Sequence, residues 1–248
     1  MKDRGCALVT GAARRIGRAL ALECARAGYD VVVHHRGAAE DAAQVAAEIE
    51  AIGRRAFVAH ADLTHDAERD ALLSVADQPL TLLVNCASLF QDDRIDTLTA
   101  DSFDAHLGAN LRAPVLLAQA FAAQLPADAE GLIVNIVDQR VWRPNPQFFS
   151  YSLSKAGLWW ATQTLAQGLA PRIRVNAVGP GPTLASIHQN NGEFDHEAAN
   201  VPLGHGASPD EIAAALRYLI DARSVTGQMI AVDGGQHLAW RTPDIIGA

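Results

Sequence analysis

Three side chains whose types and spacing suit proton transfer fall inside the stretch Leu132 to Trp160, LIVNIVDQRVWRPNPQFFSYSLSKAGLWW. Asp138 stands where the apolar run Leu132 to Val137, a predicted buried strand, would end. Beyond a loop broken by Pro144 and Pro146, Tyr151 and Lys155 lie four apart at the start of an apolar helix. That spacing puts phenol and ammonium on one helix face, turned toward the strand end. An ammonium near a phenol favours the phenolate, so Lys155 is expected to lower the Tyr151 pKa and make it a general acid or base. A carboxylate at Asp138 would push the other way.

Positioning these groups needs strands that end together, and the chain alternates strands and helices. The apolar ALVT (7–10) runs through Gly11 into a helix that reaches Gly28, and Gly11 and Gly17 bound its start. A strand, glycine turn and helix N-terminus can receive a pyrophosphate on free backbone N–H groups. Alone, this pattern fits a plain strand-to-helix turn equally well. DVVVHHR (30–36) ends in His34, His35 and Arg36, where an NAD-binding chain would carry an acid; none occurs before Glu40. With Arg14 nearby this suits a 2'-phosphate, although solvated strand-end groups remain an alternative. Further on, a helix is predicted over 38–52, a strand with Asp62 and Leu63 at its end, and a helix over 66–77. A fourth strand follows, running into Asn85, Ala87, Ser88 and Phe90. Asn110 lies in a helical stretch that Pro114 should distort. RIRVNAVGPGPT repeats the strand-then-loop pattern up to Pro180 and Gly181, SPDEIAAALRYLI carries a Ser N-cap with Pro next, and QMIAVDGG supplies a seventh strand. Residues 184–206 are polar with little periodicity, which makes them a candidate substrate lid. His188, His196 and His205 within it lack metal-site spacing. The expected fold is α/β: one Rossmann-type domain over 1–248, a doubly wound, mainly parallel seven-stranded sheet with helices on both faces.

These motifs together resemble the short-chain dehydrogenase/reductase family, from Thr10 to Gly235. The family has a Tyr and a Lys at the spacing of Tyr151 and Lys155, with Ser usually at the place of Asp138. Asp138, TGAARRIG with Arg15 in place of the middle glycine, and the N-x-A-S-x-F run from Asn85 to Phe90 are similar to the pteridine reductase branch, which includes dihydromonapterin reductases. The resemblance implies NADPH as cofactor, held by Gly11, Arg14, Arg15, Ile16, Gly17, His34, His35, Arg36, Asp62, Leu63, Asn85, Ala87, Ser88, Tyr151, Lys155, Pro180 and Gly181. It implies a substrate site at Arg15, Ser88, Phe90, Asp138 and Tyr151, with Phe90 stacking on a flat pterin; from its residue type alone Phe90 fits a core position as well. It also implies catalysis by Asp138, Tyr151 and Lys155, with Asn110 holding a relay water, and a homotetramer or homodimer. The activities in view are reduction of a pterin-like substrate, reduction of a ketone or 3-oxoacyl group, or, from another class, NADPH sensing without turnover.

Composition narrows the partners. The 248 residues are 49% hydrophobic, enough for a large core, and carry a net charge of −8, which disfavours nucleic acid and anionic membranes. Cys6, Cys24 and Cys86 are odd in number, widely spaced and set in apolar segments, as in a reducing compartment. The N-terminus enters a strand without a long apolar run, so a cytoplasmic protein is expected.

Overall fold

Residues 3–185 and 191–240 are described in the computed structural model. Seven strands, Cys6–Val9 (β1), Asp30–His35 (β2), Ala56–His60 (β3), Leu80–Asn85 (β4), Gly131–Ile136 (β5), Ile173–Pro180 (β6) and Met229–Val232 (β7), form one sheet. Their order is β3-β2-β1-β4-β5-β6-β7, and every neighbouring pair is parallel. β1 thus connects outward to β2 while β4 continues on its other side, and the crevice at such a reversal is where α/β sheets bind ligands.

Successive strand residues point to opposite faces, and here both faces are covered. Ala7 and Val9 of β1 join one core with Val31 and Val33 and with the helices Arg15–Ala27 (α1), Ala39–Ala51 (α2) and Pro209–Asp221 (α8), through Leu20, Ile49 and Leu216. Cys6 and Leu8 face a second core with Leu117 and Phe121 of Ala113–Gln124 (α5) and Ala166 of Phe149–Leu169 (α6). α1 ends on Gly28 in the left-handed region, and α8 starts with a capping box in which Ser208 and Glu211 satisfy each other's backbone N–H.

Two stretches differ from the sequence expectation, and a third shows the distortion expected of it. The helix predicted over 66–77 is one short helix, Asp66–Ala71 (α3), followed by a 3-10 turn at Leu72–Ser74. Arg69, buried against Asp66 and Asp70, draws the polar residues of α3 into a local ion network. The helix Ala100–Leu107 (α4) passes into α5 through a π-helical turn at Gly108–Arg112. Pro114 has no N–H to offer the carbonyl four residues back, so the ladder widens at the expected place. The segment 184–206 contains a helix, Asn191–Ala199 (α7), which the weak periodicity did not reveal. Residues 186–190, including His188, lie outside the described residues. Among the described residues no helix is long and apolar enough to cross a membrane.

Candidate active site

At the carboxyl ends of the central strands opens a cavity of about 870 Å³. At one end stand Arg36 and Asp62; at the other, Phe90, Tyr151 and Phe194.

The glycine turn is bound on both sides. Thr10 Oγ1 accepts from the backbone N–H groups of Cys86 and Ala87 at 2.9 and 3.0 Å, which fastens the end of β1 to the chain beyond β4. On the other side His34 Nδ1 accepts the Gly11 N–H at 3.0 Å, while its Nε2 lies 3.0 Å from the Ala61 carbonyl and donates to it. Gly11 has φ +66°, a conformation glycine adopts without strain, and a Cβ there would press on the Ala87 backbone; one at Gly17 would overlap the Gly11 carbonyl oxygen. The first turn of α1 has neither a side-chain cap nor an acidic residue, so its N–H groups and positive helix end face the cavity uncompensated. This donor set and its glycine clearance fit a dinucleotide pyrophosphate.

Arg15 takes the left-handed region at φ +53° in the place of a glycine, and its guanidinium donates to the carbonyls of Leu184 and Ala185 at 3.0 and 2.8 Å. Arg14 pairs with Asp41, and Arg36 stands 4.0 Å from Asp62, so both exposed cations could exchange a carboxylate for a phosphate. Asp62 accepts from the Thr64 N–H and hydroxyl, and these bonds hold its carboxyl below the usual range.

The reacting end is set by β5 and α6. β5 carries the chain to Asp138, whose side chain caps its own 3-10 turn by accepting the Arg140 N–H at 2.9 Å. Asp93, buried, caps α6 from a distance: its Oδ1 accepts the Ser150 N–H at 2.9 Å, its carbonyl the Phe149 N–H at 3.0 Å. α6 then presents Tyr151 to Asp138, and the phenol donates to Oδ2 at 2.9 Å. Arg140 Nη1 approaches the same oxygen at 3.3 Å. Burial is the largest influence on Tyr151 and, with the charge and hydrogen bond of Asp138, holds its pKa well above 10; Arg140 opposes them. Lys155 donates to the Ile136 carbonyl at 2.8 Å, and its Nζ lies 5.6 Å from the Tyr151 ring centre. Burial pushes its pKa down to about 8.

Most predicted residues meet in this cavity: Gly11, Arg14, Arg15, Ile16 and Gly17 at the turn, His34, His35, Arg36, Asp62 and Leu63 beyond it, then Ala87, Ser88, Phe90, Asp138, Tyr151, Lys155, Pro180 and Gly181. Three expectations are corrected, for His34, Asn85 and Lys155, and the partners of Asn110 and Phe90 are now defined. His34 is no phosphate cation: burial lowers its pKa to about 4, and a ring accepting at Nδ1 while donating at Nε2 is neutral. Asn85 does not line the cavity; it is buried and donates to Asn135 Oδ1 at 2.8 Å. Asn110 is likewise buried, and its side chain is fully engaged: the amide donates to the Leu89 carbonyl and Ser154 Oγ, the oxygen accepts from Leu89 N–H and Ser88 Oγ. That side chain ties the loop after β4 to α6 and has no bond left for a relay water, which leaves the Asn110 carbonyl, four residues before Pro114, as the group that could hold one. Lys155 makes no bond to the phenol, whose pKa is raised and not lowered. Phe90 already stacks on Phe148, with ring centres 4.3 Å apart and planes at 13°, and meets Tyr151 edge-on.

Sequence reasoning missed Arg140, Asp93, Phe148, Phe194 and Glu197. A signal existed for Arg140, a cation two residues past the candidate acid. The other four come from loops and from α7, whose direction no periodicity gave.

The sequence model of the enoyl-(acyl carrier protein) reductase family matches residues 11–237. A 3-oxoacyl-[acyl-carrier-protein] reductase of Synechocystis sp. is 34% identical over 236 residues, 92% of this chain and 95% of its own length. Among solved structures, the FolM alternative dihydrofolate reductase 1 of Brucella suis in complex with NADP has a TM-score of 0.94 and 48% identity, with 99% of this chain and 100% of that one covered. The angucycline C-6 ketoreductase LanV with bound NADP gives a TM-score of 0.88 at 30% identity, covering 96% and 100%.

The lowered Lys155 pKa gives a prediction with a definite sign. Its ammonium is lost as pH rises through the folded-state value, so kcat/KM for the reduced dinucleotide in the free enzyme should fall above a pH of about 8. Lys155→Met should flatten that limb. A wild-type profile level to pH 10, near the unperturbed lysine value, would contradict it.

Proposed function

The chain belongs to the short-chain dehydrogenase/reductase family, and from that premise we propose that it is a cytoplasmic, NADPH-dependent reductase of dihydropterins or oxidised pteridines. The observation that carries this reading is the hydrogen bond from Tyr151 to a carboxylate, Asp138, beside the stacked rings of Phe90 and Phe148. A ketone offers only an acceptor to such a site. A pterin offers ring and amino N–H donors for Asp138, a basic nitrogen for the Tyr151 proton and a flat face for an aromatic wall. The 48% identity to a protein described as an alternative dihydrofolate reductase supports the same reading.

NADPH supplies the hydride when bound. The turn from Gly11 to Gly17 would hold its pyrophosphate, Arg14 and Arg36 its 2'-phosphate, Asp62 and Leu63 its adenine, Lys155 its nicotinamide ribose, and Pro180 and Gly181 its carboxamide. Tyr151 gives up its phenolic proton to the substrate heteroatom next to the carbon being reduced. Asp138 orients the phenol and accepts from the substrate ring. Phe90, Phe148 and Phe194 supply the apolar wall at this end.

A second reading, reduction of 3-oxoacyl groups, is favoured by the curated relatives at 31–34% identity. Following NADPH oxidation with dihydrobiopterin, dihydromonapterin and dihydrofolate beside a 3-oxoacyl thioester separates the two. Turnover of at least one pterin is expected, together with a loss of roughly 10²-fold or more in Tyr151→Phe. Reduction of the thioester alone would overturn the pterin reading.

The family habit of homo-oligomers also fits this chain, because Leu153 and Trp160, seven apart on the long helix α6, are 43% and 70% exposed. Light scattering should give a mass of two or four chains; a single chain of 26.3 kDa would refute the expectation.

A further inference from the structure

Arg140 belongs to none of the motifs that mark the site, yet it touches both the acid and the aromatic wall. Its backbone N–H holds Asp138 Oδ1 at 2.9 Å, and its Nη1 stands 3.3 Å from Oδ2, the oxygen that also receives the Tyr151 hydroxyl. The guanidinium carbon lies 5.4 Å from the centre of the Phe148 ring, which stacks in turn on Phe90 at 4.3 Å. Its Nε is buried without a hydrogen-bond partner among the described residues.

We propose that Arg140 is a positioning residue for proton delivery: it holds Asp138 in place as a shared acceptor and offsets the negative charge that builds up when Tyr151 releases its proton. The step is the breaking of the phenolic O–H and the formation of an N–H or O–H on the substrate, with the electron pair of the broken bond left on the phenolate. That phenolate would stand hydrogen-bond distance from a carboxylate, an adverse pairing of like charges in a buried site. Lys155 gives one N–H to the Ile136 carbonyl and faces the ring of Tyr151, whereas Arg140 reaches the very oxygen the phenol faces. Before transfer the same contact matters in another way. An unshared carboxylate is a strong acceptor that would keep the phenolic proton to itself, and the Arg140 contact weakens that hold. Through Phe148 and Phe90 the guanidinium also fixes the spacing between acid and aromatic wall. This role rests on Tyr151 as the acid and holds for a pterin or a ketone.

The test uses the full chain with NADPH and whichever substrate the panel above shows to be turned over best. In Arg140→Met, NADPH affinity by fluorescence should stay within about twofold while kcat falls roughly tenfold or more and the solvent isotope effect on kcat rises, because proton transfer becomes the slow step. Arg140→Lys, which keeps the charge, should recover part of kcat and a smaller isotope effect. Wild-type kcat and isotope effect in Arg140→Met would overturn the proposal, as would a parallel loss of kcat and NADPH binding that Lys does not relieve. Should Arg140→Met fail to fold, Arg140→Gln takes its place with the same expectations. A wild type that reduces ketones and no pterin would refute the proposed substrate, and the isotope effect is then read on the ketone.

Discussion

A carboxylate held against a buried phenol constrains everything else at this site. Tyr151 is buried, and its hydroxyl needs a partner; Asp138 provides one at 2.9 Å. The pairing stabilises the protonated phenol and makes it reluctant to ionise, so in the proposed reaction the groups around it must both hold the geometry and offset the charge. Lys155 and Arg140 approach from different sides, one at the ring and the other at the acceptor oxygen.

The fold supplies the geometry through elements that are far apart in sequence. β5 brings Asp138 to the sheet edge; Asp93, in the loop after β4, fixes the first turn of α6 and with it the direction of Tyr151. Asn110, in the widened turn before α5, links that loop to Ser154, whose hydroxyl donates to the Tyr151 carbonyl. The buried bond between Asn85 and Asn135 joins the ends of β4 and β5 just below the cavity. Few of these side chains line the cavity, and they restrict the movement of those that do.

The sheet and its order of elements were legible because apolar runs such as Leu132–Val137 and the glycines at 11, 17 and 28 are local signals with a direct physical meaning. Tyr151, Lys155 and Asp138 were legible for the same reason, as spacings along a helix and at a strand end. What the sequence did not disclose depends on distant partners. His34 reads as a basic strand-end residue and becomes a neutral tether once the Gly11 N–H and the Ala61 carbonyl enclose it. The Tyr151 pKa depends on burial, which outweighs the sequence-level argument from Lys155. The four partners of the Asn110 side chain come from a loop and a helix distant in sequence, and α7 carries no apolar periodicity that would announce it.

The central claim is that Asp138, in the place where most of the family has Ser, adapts this site to a nitrogen ring. The direct measurement is kcat/KM of Asp138→Ser on a dihydropterin and on a ketone, compared with wild type. The account predicts that the ratio shifts toward the ketone by roughly 10²-fold, as expected when buried polar complementarity is lost for one substrate only. An unchanged ratio, or pterin turnover retained in full by the serine variant, would contradict it.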